Sequence, residues 1–315
     1  MPDVSIIIPT YNRAALLSGA IDSALAQGER YEVIVVDDGS TDDTAALLAG
    51  YGDRIRVLRQ ANKGPSAARN LAAEAARGDY LFFADSDDLI EPSAVGRLLD
   101  EARLLGPTKI PFGEATTIDE AGRPVEAAKY GFGSVRRGEE LDFAGLLSGT
   151  MPLWLTLLPA ALFRRLGGLR PGLRLGEDQE FAVRVHAAGL RYVATEVPTI
   201  NVRIHDAPRL SGTANREFGS RAVQLWSAIT EEVAAVPEFD LHARQAMEEA
   251  IWVAARDAAR ARDRVAAERL FAMAQAIDGG VVRTSPLPLR LLSQGVGAYR
   301  AERGAELVKR LLGRR

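Results

Sequence analysis

Four short apolar runs, each followed by a stretch with helical spacing, leave the first part of this chain few ways to fold. VSIIIP (4–9) is a continuous β-branched run, as in a strand buried on both faces. YEVIVVDDGS (31–40), RIRVLRQ (54–60) and DYLFFAD (79–85) repeat the pattern. Between them, Leu16, Leu17, Ala20, Ile21, Ala24 and Leu25 share one helical face. TDDTAALLAGY opens on N-capping residues, and KGPSAARNLAAEAARG closes on a glycine. EPSAVGRLLDEARLLG follows, with Pro92 near its first turn. This β-α-β-α order with short connections predicts an α/β fold: a mostly parallel sheet with helices on both faces. Ligands of such sheets bind at the carboxyl ends of the strands. Those ends read Pro9-Thr10-Tyr11-Asn12, Asp37-Asp38-Gly39-Ser40 and Asp85-Ser86-Asp87-Asp88.

The last of these places three aspartates within four positions. Carboxylates so close need a counter-charge, or one of them is driven to hold its proton. Oxygen-rich clusters suit a hard divalent cation, which keeps open positions for phosphate oxygens. Taken alone, the same residues also describe a solvated turn that caps the next helix.

Beyond residue 107 the pattern shortens. KIPFGEATTID (109–119) is strand-like and PVEAAKYGF is a candidate return strand; helical pieces and glycine turns fill 141–175. LGEDQEFAVRVHAAG reads as a helix ending at Gly189, and RYVATEVPTINVRIH as two short strands divided at Pro198. Residues 216–276 are helical and alanine-rich, and SPLPL breaks the pattern before a basic, partly amphipathic tail. A net charge of −3 gives no global field for nucleic acid. The absence of cysteine excludes disulfides, thiolate metal sites and thiol nucleophiles, and fits a reducing, cytoplasmic setting. The N-terminal segment reads as a strand, not a signal peptide. MPLWLTLLPAALF is too short to span a bilayer.

Five segments in order, VSIIIPTYNR, EVIVVDDGSTDDT, NKGPSAARN, GDYLFFADSDD and GEDQEFAVRVHAAG, resemble family 2 glycosyltransferases of the GT-A fold, over residues 3 to about 211. The resemblance implies an inverting transfer of a sugar from a nucleoside diphosphate donor, UDP-linked in the first instance, to a glycan or lipid-linked acceptor. It implies that Asp38 accepts a hydrogen bond from the nucleobase, with Tyr11 stacked on the base and Pro9 and Thr10 shaping the same wall. Arg69 would lie near the diphosphate or base. Asp85-Ser86-Asp87 resembles the DxD element: Asp87 as ligand to Mn2+ or Mg2+, Asp85 on the ribose of the nucleotide or behind the metal ligand, Ser86 on the nucleotide, and Asp88 supporting the acceptor side or the loop. Gly176-Glu177-Asp178 resembles the element that supplies the base. Asp178 is the first candidate and Glu177 the second, with a helix N-terminus expected to keep the carboxylate ionised. His205 would be a further metal or phosphate contact. Arg203, Ser211 and Trp154 are weaker candidates, and His186 reads as packing.

Two other readings stay open. A sugar-1-phosphate nucleotidyltransferase would need a glycine-rich loop after the first strand, where this chain has PTYNRAAL. A non-catalytic sugar-nucleotide scaffold would keep the fold without the chemistry. The organisation expected is a catalytic domain over 1–211, with a nucleotide half (1–106) and an acceptor half (107–211), followed by a helical region over 212–315. In the tail, Leu307, Val308, Leu311 and Leu312 share a face beside basic residues. That pattern suits peripheral contact with anionic lipid, or packing on the domain or on a second copy.

Overall fold

The computed structural model describes residues 1–125, 135–148, 151–205, 217–233, 236 and 239–277. In chain order the first elements are β1 (Val4–Thr10), α1 (Ala14–Leu25), β2 (Tyr31–Asp37), α2 (Thr44–Ala49), β3 (Arg56–Arg59), α3 (Pro65–Ala75) and β4 (Tyr80–Phe83). Then come β5 (Leu89–Ile90), α4 (Ala94–Leu105), β6 (Lys109–Ile118), α5 (Phe143–Ser148), β7 (Leu157–Pro159), α6 (Ala160–Arg165), α7 (Glu177–Ala187) and β8 (Arg191–Arg203). Helices α8 (Phe218–Val233), α9 (Leu241–Arg260) and α10 (Arg264–Ile277) complete the described chain.

The main sheet has the order β3-β2-β1-β4-β7, parallel except for β7. β1 is buried along its whole length, and β2 and β4 over most of theirs, because both faces are covered, whereas the edge strand β3 is partly exposed. Ile6, Ile8, Val33 and Val35 pack with Leu17 and Ile21 of α1 and Leu98 of α4. The alternate residues Ile7, Ile34 and Phe83 are equally buried, and Phe83 meets Phe163 of α6 with ring centroids 5.3 Å apart. Each such aliphatic side chain contributes about 1.5–3 kcal/mol on burial.

A second sheet has the order β5-β8-β6. Here the expected division at Pro198 is corrected: Arg191–Arg203 is one continuous strand. Proline lacks the N–H a ladder needs, so a central strand tolerates it only where pairing is interrupted. The β6–β8 register shifts on both sides of Glu114, and Pro198 lies opposite it within that bulge. Gly113 makes the bulge possible, since a Cβ there would fall 1.9 Å from Thr199 Oγ1.

Residues 1–141 and 150–208 form one compact unit, and 142–149 with 209 onward a second. The described residues of the second unit are mostly helical: Phe143 meets Phe239 with centroids 6.3 Å apart, and Trp252 meets Phe271 at 4.6 Å. Among the described residues no helix is long and apolar enough to cross a membrane. Ser211, most of the candidate return strand after Pro124 and the basic tail lie outside the described residues.

Candidate active site

The carboxyl ends of β1, β2 and β4 carry the polar groups that the parallel topology predicts there. Pro9 and Thr10 finish β1 and are buried, while Tyr11 just beyond is 45% exposed. Asn12 turns the chain with φ 51°, its N–H donates to Ser40 Oγ, and its Oδ1 accepts from the Thr41 N–H. The loops after β1 and β2 are thereby held together.

Asp38 is buried, and its carboxylate accepts three hydrogen bonds. Oδ1 takes Gln60 Nε2 at 2.7 Å and the Lys63 N–H at 2.9 Å, and Oδ2 takes the Gly64 N–H at 2.8 Å. An ionised carboxylate offers about four acceptor positions, so one of those on Oδ2 remains for a ligand. Gln60 has no role in the sequence reading, because nothing in a strand-end glutamine distinguishes it.

The aspartate cluster has its counter-charges within the protein. Arg69 Nη2 donates to Asp85 Oδ1 at 2.7 Å. His205 Nε2 lies 3.0 Å from Asp87 Oδ2, and Arg13 Nη2 lies 3.8 Å from the same oxygen. Asp88 is buried, and its Oδ1 accepts the Arg203 N–H at 2.9 Å. Asp88 therefore ties the turn to the end of β8. Ser86, between the first two, is buried. Burial raises the Asp85 pKa, with Arg69 working against that shift and the Asp87 charge adding to it.

The antiparallel pairing of Leu89 with Asn201 sets the turn before β5 beside the end of β8, which brings Asp87, two positions before β5, to His205, two positions after β8. The His205 side chain is only 3% exposed, and its buried Nδ1 has no partner among the described residues. Asp87 Oδ2 and His205 Nε2 thus converge on one point. They fit a hard divalent cation that takes one or two protein ligands and fills its other positions with diphosphate oxygens and water. Among the described residues no group of three or more His, Asp or Glu is arranged to hold an ion.

On the other side stands the start of α7. Gly176, with φ 70°, is its N-cap, a left-handed conformation that favours glycine, and Glu177 and Asp178 follow directly. Arg69 Nη1 donates to Glu177 Oε1 at 3.1 Å. Asp178 Oδ2 accepts the Leu153 N–H at 3.3 Å, while its buried Oδ1 has no partner among the described residues. Burial and the neighbouring Glu177 charge push the Asp178 pKa up to about 7, against the opposing influence of Arg69. The expectation that a helix N-terminus keeps this group ionised at neutrality is corrected. Desolvation plus like charge outweighs the 0.3–1 kcal/mol or so that a helix end supplies.

The α7 helix is anchored by residues the sequence reading passed over. Glu180 is fully buried and accepts from Arg170 Nε at 3.1 Å and from Arg184 Nε at 2.9 Å. Arg184 also donates to the carbonyls of Leu166 and Gly168, at 2.6 and 2.8 Å. Asn70, inside the quoted NKGPSAARN, forms a two-way amide clamp with Leu169: Nδ2 donates to its carbonyl and Oδ1 accepts its N–H, both at 2.8 Å. Trp154 packs partly buried on the core, and His186 is buried within α7. Charged residues at helical spacing mark Glu180 and Arg184 as a pair, but no local signal marks them as buried.

Residues 5–108 match the family model described as Glycosyl transferase family 2. The match covers about a third of the chain. It is 33% identical over 213 residues to the succinoglycan biosynthesis protein ExoO of Rhizobium meliloti (strain 1021), covering 61% of this chain and 58% of that protein. It is 29% identical over 234 residues to the uncharacterized glycosyltransferase RT0329 of Rickettsia typhi, covering 74% and 73%. The chain thus spans a little over half of the ExoO length. Among solved structures, S. aureus TarS 1-349 in complex with UDP superposes with a TM-score of 0.70 at 19% identity, covering 99% of this chain and 92% of that one. The same TarS fragment in complex with UDP-GlcNAc gives 0.70 at 18%. At that identity the likeness establishes the shared fold, GT-A as in TarS. The family 2 segment contains Pro9, Thr10, Tyr11, Asp38, Arg69, Asp85, Ser86 and Asp87, whereas Glu177, Asp178 and His205 lie outside it. The fold delivers these last three to the same end of the sheet.

Proposed function

We propose that this chain transfers a sugar from a nucleoside diphosphate sugar, with UDP as the nucleotide, to a hydroxyl of a glycan or lipid-linked acceptor. The transfer is a single displacement with inversion, assisted by Mn2+ or Mg2+. What supports this reading is Asp178 at the polar end of the sheet: its buried Oδ1 has no partner among the described residues, and burial with the Glu177 charge pushes its pKa up to about 7. A general base works best when its pKa lies near the working pH.

In this mechanism Tyr11 offers a stacking face for the base, and the remaining Oδ2 position of Asp38 accepts the N3–H of uracil. Cytosine has no donor there, which favours uracil. Pro9 and Thr10 wall the base pocket, and Asp85 and Ser86 face the ribose. Asp87 and His205 would hold a divalent cation, which would supply charge neutralisation for the diphosphate leaving group. Asp178 Oδ1 takes the acceptor hydroxyl proton as that oxygen attacks the anomeric carbon from the face opposite the leaving group. Glu177 stands beside it, fixed by Arg69. The proposed setting is cytoplasmic.

Calorimetric titration with UDP, GDP, CDP and dTDP, each with and without manganese, tests the reading. UDP binding that strengthens with manganese supports it. If no nucleotide binds in either condition, the reading falls, and the strand-end acids are structural capping groups.

A further inference from the structure

Helix α3 presents Ser66, Arg69 and Asn70 on one face, at i, i+3 and i+4 spacing. All three reach the segment that leads into α7. Ser66 Oγ donates to the Leu173 carbonyl at 3.4 Å, Asn70 clamps the Leu169 backbone, and Arg69 meets Glu177. Ser66 and Asn70 hold main chain. Arg69 alone holds carboxylates, one from each side of the site: Asp85 of the β4 turn and Glu177 of α7. Its two terminal nitrogens are engaged this way, and its Nε is buried with no partner among the described residues. A buried guanidinium with one nitrogen unsatisfied is costly unless its charge is needed where it stands.

The surroundings supply that need. Asp85, Asp178 and Glu177 all act on Arg69; although burial opposes its charge, the three acids outweigh burial and raise its pKa. The groups facing Asp178 are Glu177 on its own helix, Arg69 from α3, Asp85 from the β4 turn and the Leu153 N–H. The fully buried Tyr192 phenol of β8 also faces it; burial and the Asp178 charge both disfavour ionisation of that phenol, and Arg184 acts the other way. Arg184 is committed to Glu180. Arg69 is therefore the cation that offsets the acids around the base.

We propose that Arg69 is a positioning residue for the transfer step: one guanidinium spans donor-side Asp85 and acceptor-side Glu177, fixing the start of α7 and tuning Asp178 as a base. This rests on the reading of Asp178 as the base, and it gives Arg69 a role different from direct contact with the diphosphate or nucleobase. A lysine cannot replace it, because a single ammonium lacks the planar fork that reaches both carboxylates.

The test follows the carboxyl carbon of Asp178 by 13C NMR in the free protein, using the signal that disappears in Asp178→Asn. Arg69→Gln removes the cation and should move the titration midpoint up by about one pH unit or more, and Glu177→Gln removes an acid and should move it down. A midpoint in Arg69→Gln within about 0.3 unit of wild type overturns the proposal. If Arg69→Gln does not fold, Arg69→Lys decides. Its charge is kept, so the midpoint should stay while kcat falls about tenfold and UDP affinity changes less than threefold. A wild-type kcat in Arg69→Lys overturns the bridge. The NMR readout needs no substrate. Expected midpoint shifts in a protein that transfers no sugar would therefore reject the transferase reading and leave the bridge standing.

Discussion

His205 Nε2 lies 3.0 Å from Asp87 Oδ2, although 118 positions separate the two residues. The contact joins the turn after β4 to the end of β8 and is shielded from solvent on the histidine side.

If Asp87 and His205 hold a divalent cation, removing either should act on metal-dependent binding first. Asp87→Asn should abolish the strengthening of UDP binding by manganese while leaving metal-free UDP binding within threefold. His205→Gln should weaken the metal-dependent part by about 10–100-fold. Calorimetry with and without chelator measures both. Unaltered manganese dependence in both variants would remove this pair from the metal site.

Asp178 must be ionised to accept a proton. With its pKa pushed up to about 7, kcat at saturating donor should fall about tenfold for each pH unit below that point and level off above it. Asp178→Asn should bind UDP as wild type does and lose transfer by about three orders of magnitude or more. A variant that retains full turnover would show that another group takes the proton.

The same group has a stability consequence whose sign is fixed by its shift. A carboxyl with a folded pKa of about 7, above its unfolded value, binds its proton more tightly in the fold. The resulting stability is present below the unfolded value, about pH 4, and is lost as pH rises towards 7. Ionised Asp178 therefore strains the fold at pH 8. Asp178→Asn should raise Tm at pH 8 and raise it less at pH 5, by differential scanning calorimetry. Equal shifts at both pH values would contradict the raised pKa.

Asp38→Ala removes the acceptor for the Gln60 amide and for the Lys63 and Gly64 N–H groups. UDP binding should weaken even without metal, and stability should fall by about 1–3 kcal/mol as buried donors lose their partner. Gln60→Ala should lower UDP affinity less than Asp38→Ala does. Urea unfolding and metal-free titration separate the two effects.

Glu180→Ala would leave Arg184 and Arg170 without their shared carboxylate. Removing one partner of a buried ion pair costs about 3–5 kcal/mol. The midpoint of urea unfolding should drop accordingly, and kcat should fall with it because the start of α7 is no longer held. A loss below 1 kcal/mol would mean that the network is replaceable by water.

Side-chain periodicity alone specifies the sheet and the end of it that carries polar groups. β-branched runs such as VSIIIP can be satisfied only where both faces are covered, and the short helical connections make their pairing parallel. The strand-end positions of Tyr11, Asp38 and Asp85–Asp88 follow from that topology, as does an acid pair opening a helix after Gly176. These are local signals, set by side-chain periodicity and backbone preference within a few residues. The remaining features depend on contacts between distant segments. Pro198 stays inside a continuous strand because Gly113, on β6, leaves room for a bulge. Arg69 becomes a bridge because α3 brings its face to the segment before α7. Asp178 reads in sequence as a helix-start acid with an ordinary carboxylate. Only the assembled site, by burying it and setting Glu177 and Asp85 against Arg69, raises its proton affinity towards neutrality, because desolvation and charge pairing act through space.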